Sequence, residues 1–126
     1  MKIAVIGSRN LTFNHFDMVI PTVCTEIVSG GAKGIDTCAR LWAEEKGLIY
    51  TEFLPDYKRY GKAAPLIRNR QIVDYADAVL AIWDEKSKGT YHAVMYAKKQ
   101  GKPIALLSAD PLHIIDNSLT KFTEST

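Results

Sequence analysis

Cysteine and histidine are scarce in this chain, and neither is spaced to bind a metal. The two cysteines, Cys24 and Cys38, are not part of a CxxC motif, and the three histidines are scattered. No metal site is therefore expected, and the thiols are interpreted as reduced and buried. Long apolar runs are also absent: none approaches the ~20 residues of a membrane span. The run at residues 3–6 is too short for a signal peptide. The sequence thus predicts a cytoplasmic protein without a membrane partner.

Neither basic nor acidic residues are in large excess, but the basic residues are unevenly distributed. Sixteen basic and fourteen acidic residues give a net charge of +2, which does not indicate a general binder of polyanions. Residues 57–70 nevertheless contain five basic side chains and no acidic one. Residues 57–64 of this segment are expected to form a loop. The basic residues of the segment are Lys58, Arg59, Lys62, Arg68 and Arg70.

Apolar runs alternate with helical patterns along most of the chain. Buried strands are expected at residues 3–7, 26–29, 49–54, 78–83 and 104–107. Helices are expected within residues 14–24 and at residues 36–46, 65–74 and 89–99. This order predicts a three-layer α/β fold, with a mostly parallel five-stranded sheet flanked by helices.

All 126 residues are expected to form a single domain. Residues 109–126 are expected to be a peripheral tail. Part of this tail is expected to pack through its apolar residues, which are Leu112, Ile114, Ile115, Leu119 and Phe122.

The segment SGGAKGID, at residues 29–36, is the most informative part of the sequence. It lies between an expected strand and an expected helix, where glycines bring backbone amides close to a ligand and the helix start favours an anion. This pattern predicts a phosphate-binding loop, although it matches neither GxGxxG nor GxxxxGK[ST]. Lys33 is the first candidate for side-chain contact, and Asp36 either caps the helix, which we favour, or bonds a ribose hydroxyl. The candidates are Ser29, Gly30, Gly31, Ala32, Lys33, Gly34 and Asp36.

Three further segments follow strands or open helices and are expected at the same edge of the sheet. Gly7-Ser8-Arg9 follows the first strand and is either a ligand contact or a tight turn with Arg9 in solvent. Gly89-Thr90 is expected to open a helix, either as a second phosphate or ribose site or simply as a cap.

Arg68-Asn69-Arg70 lies early in a helix, where adjacent side chains point in different directions. We expect Arg68 and Asn69 to face the ligand and Arg70 to face the surface or a partner subunit. Arg68 is expected in an open cleft, so that replacing it would remove ligand affinity and leave the fold intact. The alternative is a solvated helix face.

Taken in order, GSR, SGGAKGID, RYGKAAPLIRNRQIV and KGT resemble the SLOG superfamily, in its small single-domain YspA/YpsA-like branch. The resemblance covers residues 2–108. Lonely-guy phosphoribohydrolases and DNA-processing protein A are more distant relatives. The resemblance implies a Rossmann-like fold with a site for a nucleotide or ADP-ribose-like ligand. The implied ligand contacts are Gly7, Ser8, Arg9, Gly30, Gly31, Lys33, Gly34, Arg68, Asn69, Gly89 and Thr90.

One departure from the family pattern disfavours an enzyme. The phosphoribohydrolases carry PGGxGTxxE, in which the glutamate serves cleavage of the glycosidic bond. Here Ala93 stands at the glutamate position, so the required carboxylate is missing unless Asp84 or Glu85 replaces it. No catalytic residue is assigned, and Asp84 is kept as a ligand-binding candidate.

The sequence therefore leaves three hypotheses about function. The first is a sensor, carrier or sequestering protein for a nucleotide or ADP-ribose-like molecule, with no other cofactor assigned. The second is a nucleotide N-glycosidase or phosphoribohydrolase-like enzyme, with Asp36, Asp84 or Glu85 as acid or base. The third is a binder of single-stranded nucleic acid, which the small net charge disfavours. We expect a homo-oligomer, dimeric or larger, as the resemblance implies.

Overall fold

The centre of the sheet is formed by two strands without a single exposed residue, one near the start of the chain and one in its second half. The computed structural model describes residues 1–109 and 112–119. The strands are β1 (Lys2–Gly7), β2 (Glu26–Ser29), β3 (Ile49–Glu52), β4 (Ala78–Trp83), β5 (Ile104–Ala109) and β6 (Leu112–Asn117). Their order in the sheet is β3-β2-β1-β4-β5-β6. Strands β1 to β5 are parallel, and β6 runs antiparallel to β5.

Helices cover both faces of this sheet. They are α1 (Phe16–Val19), α2 (Ile35–Lys46), α3 (Tyr57–Tyr60), α4 (Ala64–Tyr75) and α5 (Lys88–Lys99). One buried apolar cluster joins α1 and α2 to the sheet, and a second cluster joins α4 and α5 to it. The predicted three-layer α/β fold with a mostly parallel sheet is confirmed. Among the described residues, no helix is long and apolar enough to cross a membrane.

The tail contributes a sixth strand, where the sequence predicted five. Ala105 pairs with Asn117 and Ala109 with Leu112, so that β6 closes one edge of the sheet. The side chains of Ile114 and Ile115 are exposed, and β6 therefore lacks the buried pattern of β1, β2, β4 and β5. Leu119 packs as predicted, since it is 2% exposed, whereas Phe122 lies outside the described residues.

The predicted loop at residues 57–64 is helical instead. Asp56 begins α3, and its side chain accepts a hydrogen bond from the Arg59 amide at 3.2 Å. A short 3-10 turn, Gly61–Ala63, then leads directly into α4. Helix α3 buries none of its residues. An aspartate cap can therefore start a helix that has no buried face.

The strand order reverses between β1 and β4. From β1 the chain proceeds outwards to β2 and β3, and then returns past β1 to β4 and β5. In open parallel sheets, such a reversal leaves a crevice at the carboxyl ends of the two central strands. Because β1, β2 and β4 all end there, the predicted site segments meet at this crevice.

Candidate ligand-binding cleft

A cleft of about 300 Å³ opens at this crevice. Its walls come from the turns after β1, β2 and β4 and from the first turns of α4 and α5. Segments that are far apart in the sequence therefore form one concave site. The predicted residues that line it are Gly7, Ser8, Arg9, Gly30, Ala32, Asp36, Arg68, Asn69, Asp84, Gly89 and Thr90.

Gly31 and Lys33 line a second hollow on the other side of the same loop. This hollow of about 340 Å³ also contacts Leu54 and Pro55. It shares Arg9, Gly30, Ala32 and Arg68 with the cleft. Residues 30–33 thus form a ridge between the cleft and the hollow, and Lys33 is exposed on that ridge.

Ser29 and Gly34 line neither depression. Ser29 is completely buried, and its hydroxyl shares a hydrogen bond of 2.5 Å with the Tyr50 phenol. The Tyr50 hydroxyl also donates to Glu52 Oε1 at 2.9 Å. Burial raises the pKa of Tyr50 to about 12. The hydrogen bond with Ser29 lowers this pKa, and the Glu52 carboxylate raises it further. Ser29 therefore anchors the loop from below.

Gly7 and Gly31 lie so close to neighbouring side chains that neither position has room for a Cβ. A Cβ at Gly7 would lie 2.4 Å from the Cβ of Ile35, so that only glycine lets α2 begin against the end of β1. Gly31 has a φ of +69°, and a Cβ there would lie 2.6 Å from the carboxyl carbon of Glu52. Gly31 therefore allows the loop to turn above Glu52.

Arg68 lies in a different environment from the predicted one. Its side chain lines the cleft but is only 6% exposed, so the expectation that it occupies open space is wrong. Nη1 donates to the carbonyl oxygen of Gly30 at 2.6 Å, and Nε donates to Asn69 Oδ1 at 2.9 Å. Burial lowers the pKa of the Arg68 guanidinium, and the Asp36 carboxylate opposes this effect. Arg68 therefore joins α4 to the loop and brings a positive charge to the cleft.

The expectation that Asp36 caps α2 is wrong. The helix begins at Ile35 with Gly34 at the N-cap position, where no side-chain hydrogen bond is made. Asp36 is 7% exposed, and its Oδ2 accepts a hydrogen bond from the Ala32 amide at 3.1 Å. Burial raises the pKa of Asp36 above the ordinary 3.8, against opposing effects of the Ala32 amide and Arg68. The carboxyl group thus fixes the loop and faces the cleft.

Helix α5 begins earlier than predicted. Ser87 is its N-cap, and Ser87 Oγ accepts hydrogen bonds from the amide of Thr90 at 3.4 Å and from its hydroxyl at 3.2 Å. Thr90 is therefore in the third helical position and does not cap the helix. A serine that ends a polar loop directly before a helical pattern is the sequence signal that could have identified this start.

Asp84 is held by the backbone of the same loop. Oδ1 accepts hydrogen bonds from the amides of Lys86, at 2.9 Å, and Ser87, at 2.7 Å. The Asp84 amide in turn donates to Ser8 Oγ at 3.1 Å, which connects the turns after β1 and β4. Burial would raise the pKa of Asp84, but the two amides outweigh it and hold this pKa below its ordinary value.

Several residues of the cleft were not predicted. Ile6 and Asn10 adjoin the GSR segment. Pro65 and Ile72 lie within RYGKAAPLIRNRQIV, and Ser87 precedes KGT. These segments were identified from the sequence, but these positions were not predicted to be ligand contacts. These additional lining residues are Ile6, Asn10, Pro65, Ile72 and Ser87.

Comparison of sequences relates the chain to a family and to a phage protein. Residues 1–60 match the YspA, cpYpsA-related SLOG family. The Gene 61 protein of Mycobacterium phage D29 is 37% identical over 84 residues, which cover 62% of this chain and 67% of the phage protein. The family match thus includes β1, β2 and the loop that follows β2.

Two solved structures share the fold. DNA processing protein A (DprA) from Streptococcus pneumoniae superposes with a TM-score of 0.67 and 23% identity over 83% of this chain. The chain spans only 49% of that protein. The structural genomics target TM1055 superposes with a TM-score of 0.58 and 18% identity, over 82% of this chain and 71% of the target. Because residues 1–60 match the YspA, cpYpsA-related SLOG family and the two solved structures share the fold, the chain belongs to the SLOG superfamily.

Proposed function

We propose that this protein binds a nucleotide or an ADP-ribose-like phosphorylated small molecule in the cleft, as a sensor, carrier or sequestering protein. The observation that carries the proposal is the convergence of the α2 and α5 starts on one concave site that also contains Arg9 and Arg68. The first amides of a helix have no partner within the helix, and its dipole favours an anion at that end. A phosphate group satisfies both requirements.

The charged side chains of the cleft divide into two groups. The carboxylates of Asp36 and Asp84 accept hydrogen bonds from backbone amides of their own loops. Arg9 and Lys33, in contrast, are exposed at the rim, Arg9 in the cleft and Lys33 on the ridge that borders it. Arg9 and Lys33 are therefore available to a phosphate, while Asp36, Asp84 and the buried Arg68 stabilise the loops.

The second candidate function, cleavage of a glycosidic bond, is favoured by one observation. A general acid must hold a proton near neutral pH, and only burial of Asp36 moves a cleft carboxyl in that direction. Asp84 is shifted in the opposite direction, and Ala93 is a buried alanine of α5. We therefore regard Asp36 as the residue on which an enzymatic function would depend.

The proposal is tested by mass spectrometry of small molecules released from gently purified, then denatured, protein. We expect one nucleotide or ADP-ribose derivative in near-stoichiometric amount, and the same molecule should bind again to stripped protein in calorimetry. Release of a hydrolysed product, or turnover of added nucleotides that is lost in Asp36→Asn, would favour the enzyme instead.

Paired variants locate the site. Arg9→Ala/Lys33→Ala removes the two rim charges and should weaken binding at least about tenfold, since charge-assisted contacts to phosphate are strong. The control, Lys58→Ala/Arg59→Ala, removes two exposed charges of α3 and should bind as the wild type does. Equal binding by both double variants would contradict the assignment of the cleft. A larger loss in the control, with steep salt dependence for oligonucleotides, would favour nucleic acid.

A further inference from the structure

A second depression begins at the cleft and follows the seam between α4 and α5. We name it the α4–α5 groove; it has a volume of about 420 Å³, and Asn69 lines both it and the cleft. Helices α4 and α5 start at the same edge of the sheet, where a Cβ on Gly89 would lie 4.0 Å from Asn69 Nδ2. Further along, the Tyr96 hydroxyl donates to Asp74 Oδ1 at 2.7 Å. The groove therefore leads away from the cleft along two parallel helices.

The chemistry of the groove changes along its length. Its apolar side has Leu66 from α4 and the buried Ala93 from α5. The polar Asn69 and His92 lie beside them, at the end of the groove nearest the cleft. Its far part is basic, with Arg70 and Lys99. Tyr96, beneath the Arg70 guanidinium, is seven residues from Gly89 on α5, and Lys99 is ten. The basic part therefore lies about 10–15 Å from the helix start. An apolar side, bordered by Asn69 and His92, thus lies between two places that attract anions.

The two basic side chains are available to a ligand. Within residues 1–109 and 112–119, neither Arg70 nor Lys99 forms an ion pair. The Arg70 guanidinium lies over the Tyr96 ring, 5.6 Å from its centre. The phenol of Tyr96 is fixed in turn by Asp74. Arg70 is therefore oriented by an aromatic ring without being neutralised by it.

We propose that the α4–α5 groove binds the second phosphate of a small dinucleotide whose first phosphate lies in the cleft. The inference rests on the proposed function of the cleft and narrows its ligand from a mononucleotide to a dinucleotide. The intervening nucleoside packs on the apolar side of the groove, and Arg70 and Lys99 contact the second phosphate. The groove itself contributes two basic residues, Arg70 and Lys99, which fits a small molecule better than a long strand, since a strand needs a continuous basic track.

The test compares two ligands that differ in the second phosphate. Calorimetry is carried out on the full chain with adenosine monophosphate and with the 5′-phosphorylated diadenylate pApA. We expect wild type to bind pApA at least about tenfold more tightly than the monophosphate. Arg70→Gln/Lys99→Gln should remove this preference and leave the affinity for the monophosphate unchanged. Arg40→Gln/Lys46→Gln, which removes one arginine and one lysine from α2 on the opposite face, should keep the preference.

Each contrary result has a separate meaning. If wild type binds both ligands equally well, the groove inference fails while the proposed function stands. If wild type binds neither ligand and contains none when purified, the proposed function fails, and the inference fails with it. Affinity that keeps rising from pApA to a twenty-residue oligonucleotide would overturn the inference in favour of a nucleic-acid strand. A change of molecular mass in light scattering, confined to Arg70→Gln/Lys99→Gln, would overturn it in favour of a second copy of the chain.

Discussion

Replacing Arg68 with methionine tests whether its buried guanidinium holds the phosphate-binding loop in place. The side chain is 6% exposed, and its Nη1 lies 2.6 Å from the Gly30 carbonyl oxygen and 3.5 Å from that of Phe53. Methionine keeps much of the apolar stem and removes both the charge and the donors. The substitution therefore isolates the contribution of the guanidinium to the stability of the fold.

The expected loss follows from these contacts. A hydrogen bond from a charged donor contributes about 1.5–3 kcal/mol, and only the bond to Gly30 is both short and buried. Asp36 also loses a cation that favours its ionised form. We therefore expect the free energy of unfolding to fall by about 2–3 kcal/mol, which corresponds to a decrease of about 10 °C in Tm.

Urea and thermal unfolding followed by circular dichroism measure this loss. Arg70→Met is the matched control: it makes the same substitution two residues further along α4, at an exposed position beside Tyr96. The control should lose less than about 1 kcal/mol. Equal stability of the two variants would refute the argument, because burial and the bond to Gly30 would then contribute nothing measurable.

Two further predictions concern the loop. Gly31→Ala should destabilise the protein more than Gly47→Ala, although both glycines have a φ near +70°, because only at Gly31 must a neighbour, Glu52, move. The extra loss of about 1 kcal/mol, the cost of moving the Glu52 side chain, should disappear in the Glu52→Ala background. Equal losses of Gly31→Ala and Gly47→Ala in urea unfolding would contradict the contact with Glu52. Because burial raises the pKa of Asp36, the folded state binds this proton more tightly than the unfolded state. The stability that protonated Asp36 gives the folded state is therefore complete below pH 3.8, and it is lost as the pH rises through the folded pKa. Asp36→Asn should therefore gain stability relative to wild type between pH 3.5 and pH 7, and a constant difference would contradict the shift.

The sequence predicted the parts of the fold whose residues are uniformly buried. Strands β1 and β4 are continuous apolar runs without an exposed residue, and such runs identify the interior of a parallel sheet. Strand β6 escaped prediction because it pairs with β5 through its backbone while most of its side chains face solvent. Backbone pairing at an edge leaves little trace in a pattern of apolar residues.

The residues of the site were easier to predict than their roles. Turns at the ends of parallel strands must meet, so Ser8, Gly30 and Asp84 could be assigned to one edge without coordinates. Whether a polar side chain faces a ligand or its own loop depends on distances that spacing does not define. Arg68 and Asp36 show this, since both bond to backbone atoms of residues 30–32. Their positions as ligand contacts remain a prediction.

The burial of Leu119 connects the end of the described chain to its beginning. Leu119 belongs to the same apolar cluster as Ile3 and Phe16, on the face of the sheet covered by α1 and α2. Among the residues that the structure describes, the cluster beneath α4 and α5, in contrast, extends from Ala4 to Leu106. On the ribosome, the second cluster can therefore close while the first still has a gap where Leu119 will pack. Because contacts between distant residues also form slowly, the α1–α2 face is the later half of the core to be completed, and the nascent chain exposes apolar surface there longest.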